Sequence, residues 1–189
     1  MTLILASSSP RRKELLESIG IIPDQILAPH VDETPLKGES IKTYVQRIAL
    51  LKGRAIHKQN PTAYVLAADT AVEARRQIFL KAEAPAEARK MLELFSGRRH
   101  RVYTAICAIS PEGKEALNLV TTRISFKRLS FQEIEAYIST GEWEGKAGAY
   151  SIQGQAAKFV KFISGSYTNV VGLPLYETDC LLKGIGFRG

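Results

Sequence analysis

Four apolar residues, Leu3-Ile4-Leu5-Ala6, run directly into Ser7-Ser8-Ser9-Pro10, and this junction constrains the fold more than any other stretch of the chain. The apolar run reads as a buried strand, and the three serines form its exit loop. Pro10 suits the first position of a helix, where its missing N–H leaves no bond unmade. Leu15, Leu16 and Ile19 then supply an apolar face, and Gly20 supplies the stop. The resulting unit is strand, serine-rich loop, helix.

The same alternation of short apolar runs and amphipathic stretches continues along the chain, which points to an α/β domain rather than a bundle or an all-β sandwich. A strand is expected over Gln25 to Ala28, followed by His30-Val31-Asp32-Glu33. Ser40 can cap a long helix reaching about His57. On that helix Ile41, Val45, Ile48 and Ile56 recur at helical spacing, and Lys52 interrupts the row. Ala63 to Ala68 reads as a strand ending at Asp69-Thr70. A strand at Gln77 to Leu80 and a helix from Pro85 to Phe95, stopped by Gly97, come next. Arg101 to Ile109 and Leu117 to Phe126 read as two antiparallel strands around the turn Pro111-Glu112-Gly113. Ser130 and Glu133 form a capping box for a helix to about Thr140. Gly145 to Gly154 reads as an ordered loop, Phe159 to Ile163 as a strand, Gly165-Ser166 as a turn and Leu175 to Leu182 as the closing helix.

The 189 residues, 45% of them hydrophobic, suffice for one compact domain. No stretch approaches the roughly 18 apolar residues of a membrane span, and Leu3 to Ala6 is too short for a signal peptide, so a soluble, unexported protein is expected. Cys107 and Cys180 stand alone, which fits a reducing compartment, and both are expected in the core. His30, His57 and His100 are scattered and form no zinc or nucleophile pattern, so any metal must be held by oxygen. The net charge of +7 favours an anionic partner. Its densest cluster, Arg98, Arg99 and Arg101, has one aromatic neighbour, Tyr103, which argues against nucleic acid.

Polar groups lie at the ends of several expected strands, where open α/β sheets present ligands. Ser7, Ser8 and Ser9, the helix N-terminus, Arg11 and Arg12 together make a phosphate grip; the plainer alternative is a capped helix with solvated arginines. Asp69 closes a buried strand, where a carboxylate needs a partner or a metal, or else caps the turn. Glu33, with Asp32 beside it, can add a second carboxylate for a hard cation, or sit in a solvated turn. Lys52 either serves that site or snorkels. Trp143 and Tyr150 either stack on a base or pack in the core.

From residue 3 to about residue 180 the chain resembles the Maf-like nucleotide pyrophosphatases. Leu5-Ala-Ser-Ser-Ser-Pro-Arg-Arg-Lys-Glu-Leu-Leu16 is similar to their N-terminal motif. Val31-Asp-Glu33, Ala68-Asp-Thr70, His100-Arg-Val-Tyr-Thr104 and Asn169-Val-Val-Gly-Leu-Pro-Leu175 follow in the family's order. The resemblance implies one domain over residues 1–189, with the two-lobed, mixed-sheet α/β fold of the inosine triphosphate pyrophosphatases. It also implies a divalent cation (Mg²⁺ or Mn²⁺), a cytoplasmic location and a homodimer.

Lys146-Ala-Gly-Ala-Tyr-Ser-Ile-Gln-Gly154 resembles the branch acting on dTTP and UTP; the 7-methyl-GTP branch usually carries Glu-Gly at Gln153-Gly154. By the same resemblance Asp69 is the catalytic acid and shares the metal with Glu33. Arg11, Thr70 and Gln153 match specificity positions, and Lys52 and Lys81 match phosphate-binding positions. The expected reaction is cleavage of dTTP, UTP and modified pyrimidine analogues to monophosphate and pyrophosphate, a house-cleaning role. Asp69, or a water held by the cation, would supply the nucleophile. The alternative role is a septum-formation regulatory binding protein with a vestigial pocket. Leu80-Lys81-Ala82 departs from the family's Gly-Lys-Pro, and Glu73-Ala-Arg-Arg-Gln77 is more charged than the family's usual hairpin.

Overall fold

β1 (Leu3–Ala6) is buried at every residue because it has a parallel neighbour on each side. β2 (Gln25–Leu27) pairs Ile26 with Leu5 on one edge, and β3 (Tyr64–Ala74) pairs Leu66 with Leu5 on the other. A strand flanked by parallel partners reads as a continuous apolar run, as Leu3 to Ala6 does. The computed structural model describes residues 1–188.

Between these strands lie α1 (Pro10–Ser18) and α2 (Ile41–Gln59). Ser40 Oγ accepts the Thr43 N–H at 3.2 Å, an N-cap contributing about 1 kcal/mol. The remaining elements are β4 (Gln77–Phe79), α3 (Pro85–Phe95), β5 (Arg99–Ile109), β6 (Glu115–Phe126), α4 (Phe131–Ile138), β7 (Val160–Ser164), α5 (Tyr167–Val171) and α6 (Leu175–Gly184). A 3₁₀ turn over Gln155–Phe159 precedes β7. The sheet runs β2-β1-β3-β5-β6-β7, with β4 paired to β3, so the fold is the expected mixed-sheet α/β class.

The chain divides into two compact units. The first comprises residues 1–69, 104–120 and 172–189, of which all but residue 189 are described; the second comprises residues 70–103 and 121–171. β3, β5 and β6 each contribute residues to both. In the first unit, fully buried Leu3, Leu5, Leu16, Ile48 and Leu66 form the core. Truncating one of these to alanine costs about 3 kcal/mol. Gly53 of α2 packs close to Cys107: a Cβ there would lie 3.2 Å from Sγ. Burial pushes the Cys107 thiol up to about 12, so it acts as a small hydrophobe.

The second unit is built around aromatic rings. His100 stacks on Phe95 with centroids 4.5 Å apart, and Phe126 and Tyr150 approach its edges. The capping box of Ser130 and Glu133 opens α4 as expected. The segment from Gly145 to Gly154 contains no helix or strand, and two of its glycines sit where a side chain would meet close contacts. A Cβ on Gly148, at φ +73°, would lie 2.8 Å from Val72 Cγ2, and one on Gly154 would lie 2.1 Å from Glu142 Oε2.

Two expectations are corrected, and one open alternative is decided. The strand expected to end at Asp69 continues to Ala74, because Thr70 and Val72 carry the extended pattern onward and β4 pairs with it from Val72. Cys180 is exposed rather than in the core, since it lies on the outward side of α6. For Trp143 and Tyr150, left open between base stacking and core packing, the core alternative holds. Trp143 Nε1 donates to Ile138 O at 3.1 Å, and Tyr150 is enclosed by Phe95, His100 and Phe126.

Candidate active site

The first unit gathers a serine-arginine loop, two carboxylates and a lysine. The loop begins where β1 ends. Ser7 is buried, and its Oγ accepts the Ser9 N–H at 3.1 Å and Arg12 Nη1–H at 3.2 Å. Arg12 Nε donates to the carbonyl of Gly172 at 2.8 Å, a partner 160 residues away. Ser9 stands at the N-cap of α1, but its side chain caps nothing, and Arg12 is held rather than solvated. The loop is therefore more than an ordinary capped helix start. Ser8 is exposed, and Arg11 is half-buried. Burial lowers the Arg12 guanidinium from its ordinary value while Asp69 opposes the shift; an arginine so placed stays charged.

Helix periodicity delivers Lys52. Tyr44, Ile48, Lys52 and Ile56 recur every four residues along α2, and all four are buried. Lys52 Nζ donates to Asp69 Oδ1 at 2.7 Å and to Glu33 Oε2 at 2.9 Å, bridging the two carboxylates. Only 9% of the Lys52 side chain and 8% of that of Asp69 are exposed, against 45% for Glu33. The snorkelling alternative for Lys52 is thus excluded. Tyr44 donates its hydroxyl to the Glu33 carbonyl at 3.0 Å, fixing the backbone of the loop that carries Glu33. Arg47 secures the same loop by a two-pronged pair with Glu39, at 2.7 Å on each prong, and by a bond to Thr34 O at 3.1 Å.

Asp69 is buried among charges of both signs. Burial pushes its carboxyl above the usual carboxylate range, opposed by the charges of Lys52 and Arg12, while Glu33 adds to the upward push. Its second oxygen, Oδ2, is buried and has no hydrogen-bond partner among the described residues. Such an oxygen beside a half-exposed carboxylate suits Mg²⁺, which binds through one or two carboxylates plus substrate phosphates and water. Among the described residues no three His, Cys, Asp or Glu gather into a metal cluster. The residues therefore fit a cation shared with a phosphate ligand, not an all-protein cage.

The remaining candidates belong to the second unit. Thr70 follows Asp69 on β3 and is half-buried. Lys81 is exposed, and its backbone bridges to Ala147 within the Gly-rich segment. Gln153 is exposed in the turn preceding the 3₁₀ helix. Local sequence patterns missed the roles of Tyr44 and Gly172. The four-residue step from Tyr44 to Lys52 is the signal for the first; the second is a backbone carbonyl, which no residue type advertises.

Residues 2–185 match the family model described as Maf-like protein. A dTTP/UTP pyrophosphatase from Paramagnetospirillum magneticum is 54% identical over 185 residues, covering 98% of this chain and 97% of that protein. One from Caulobacter vibrioides is 47% identical, covering 98% and 96%. The solved structure of the Staphylococcus aureus Ham1 protein aligns with 97% of this chain and 99% of its own, at a TM-score of 0.54 and 16% identity, a likeness of fold alone. With its serine-arginine loop and paired carboxylates inside a match that spans nearly all its length, the chain belongs to the Maf-like family.

Proposed function

We propose that this chain hydrolyses nucleoside triphosphates, dTTP and UTP among them, to the monophosphate and pyrophosphate. The observation that carries this reading is the Lys52 bridge between Glu33 and Asp69, with Arg12 and Ser7 in the same unit. Relatives about half identical over nearly the whole chain carry the name dTTP/UTP pyrophosphatase, which supports the substrate class.

Phosphoryl chemistry asks a protein chiefly for positioning and for cancellation of negative charge. Arg11, Arg12 and the hydroxyls of Ser7, Ser8 and Ser9 grip the phosphate chain at the start of α1. Lys52 holds Asp69 Oδ1 and leaves Oδ2 to orient a water and to take its proton as the water oxygen attacks the α-phosphorus. The bond from the α-phosphorus to its bridging oxygen breaks, and pyrophosphate departs. The upward push on the Asp69 carboxyl makes it a stronger base than a surface aspartate. Asp69 and Glu33 are the residues that would hold Mg²⁺ or Mn²⁺, which when bound neutralises charge on the phosphates. By resemblance to the family alone, Lys81 is assigned to phosphate binding, and Thr70 and Gln153 to the choice of a pyrimidine; a glutamine amide can donate to O4 and accept from N3–H.

Hydrolysis in ¹⁸O-labelled water with product identification tests the reading. The label is expected in the monophosphate, with pyrophosphate unlabelled. Release of orthophosphate, or label in pyrophosphate, would overturn the cleavage site.

A further inference from the structure

A basic concavity lies wholly within the second unit. A cavity of about 600 Å³ is lined by Arg75, Arg76, Arg99, Arg101 and Arg123, with Glu73 as its one carboxylate. Glu73 is already engaged: Arg101 Nη1 lies 3.4 Å from its Oε2, and the Tyr103 hydroxyl donates to the same oxygen at 3.2 Å. Arg75, Arg76, Arg99 and Arg123 form no ion pair among the described residues. Strand alternation produces the grouping. Arg99 and Arg101 stand on one face of β5, while His100 between them points into the aromatic core.

The hairpin supplies an independent observation. Ala74 pairs with Gln77, so Arg75 and Arg76 are its two turn residues, and both have positive φ, +50° and +63°. Two-residue hairpins with both central residues in this region favour Asn-Gly, because a side chain there is strained. Two arginines therefore occupy the positions where arginine suits the backbone least. Local strain is thus kept beside a concave cluster of arginines, four of which form no ion pair among the described residues.

We infer that this cavity binds a short run of linked phosphates, at a site separate from the serine-arginine loop. Guanidinium forks match phosphate oxygens two at a time, and several converging forks favour adjacent phosphates over a single one. The volume is that of a small-molecule site, about 300–1,000 Å³. Single-stranded nucleic acid is disfavoured because it also requires exposed aromatic platforms, and the only ring in the lining, His100, is buried.

Calorimetric titration of the full chain with inorganic tripolyphosphate, without divalent cation, tests the inference by counting sites. The wild type is expected to bind two per chain, Arg99→Ser/Arg123→Ser one, Arg11→Ser/Arg12→Ser one, and the fourfold variant none. An unchanged count in Arg99→Ser/Arg123→Ser overturns this site. An unchanged count in Arg11→Ser/Arg12→Ser instead indicts the loop, so the two readings fail separately. Arg75→Asn/Arg76→Gly is expected to raise Tm by about 3 °C while weakening the second site at least about fivefold. Wild-type affinity in that variant also overturns the inference. Non-hydrolysable analogues of UTP and ATP identify the source of the phosphates: equal affinities mark the phosphate chain alone, and a base preference marks a nucleotide. Tighter binding of single-stranded DNA, abolished by the same substitutions, replaces the small anion as occupant and refutes the proposal.

Discussion

Each unit buries an ionisable side chain, and the two are treated in opposite ways. Asp69 is surrounded by charge: Lys52 on one oxygen, Glu33 across the lysine and Arg12 within electrostatic range. His100 is surrounded by rings, and burial pushes it down to about 3, so it is neutral at pH 7. Its Nε2 shares one hydrogen bond with the Tyr150 hydroxyl at 2.9 Å, and Nδ1 has no partner among the described residues. The lesson is that burial alone does not mark a reactive group. Among opposite charges the push of burial on a group is resisted by its neighbours, whereas burial among aromatics meets no such resistance and makes the group part of the packing.

The sharpest way to break this contrast is Asp69→Asn. The amide keeps the volume but loses the charge, the proton acceptor and the cation ligand together. Turnover is expected to fall by about 10³-fold or more, measured as pyrophosphate release, with the unfolding transition retained. Activity within tenfold of wild type would reduce Asp69 to a structural carboxylate.

Lys52→Met probes the other half of the pair. It leaves Asp69 buried beside an empty apolar stem, and loss of one partner from a buried pair costs about 3 kcal/mol. Denaturant unfolding should show that loss, and Lys52→Met/Asp69→Asn should recover most of it while remaining inactive. If the double variant is as unstable as the single one, packing rather than charge holds the pair together.

Much of this arrangement was legible in the sequence, for physical reasons that differ by residue. The strand, loop and first helix were visible because Leu3 to Ala6, Pro10 and Gly20 act locally. Lys52 was visible because a charge on an apolar helical stripe breaks a period. The Asp69 environment was not. Its strand was expected to stop at a residue that charge marks as a terminus, but the charge is tolerated mid-strand because Lys52 arrives from α2. The hold of Gly172 on Arg12 spans 160 residues and uses a backbone carbonyl, so no local pattern announces it. His100 read as one of three scattered histidines, because its neighbours Phe95, Phe126 and Tyr150 come together only through the fold.

In the aromatic cluster pH is the probe. His100 binds its proton less readily folded than unfolded, so the unfolded chain takes up protons first as pH falls below about 6.5. The stability from neutral burial is therefore complete above that value and is lost between about 6.5 and about 3, by about 1.4 kcal/mol per pH unit. His100→Phe should flatten this part of the stability curve. An unchanged slope would mean that other groups carry the acid sensitivity.

Glu33→Gln has the smallest expected effect on folding and tests whether the charge around Asp69 is graded by exposure. With 45% of its side chain exposed, Glu33 pairs with Lys52 under solvent screening, so its loss should change stability by less than about 1 kcal/mol. Lys52 keeps its bond to Asp69, and the loop keeps Tyr44 and Arg47 as anchors. The effect should fall instead on the cation: the Mg²⁺ concentration for half-maximal activity is expected to rise about tenfold while Tm stays nearly constant. A large drop in Tm with unchanged Mg²⁺ dependence would make Glu33 a structural partner of Lys52 and leave Asp69 as the sole carboxylate of the site.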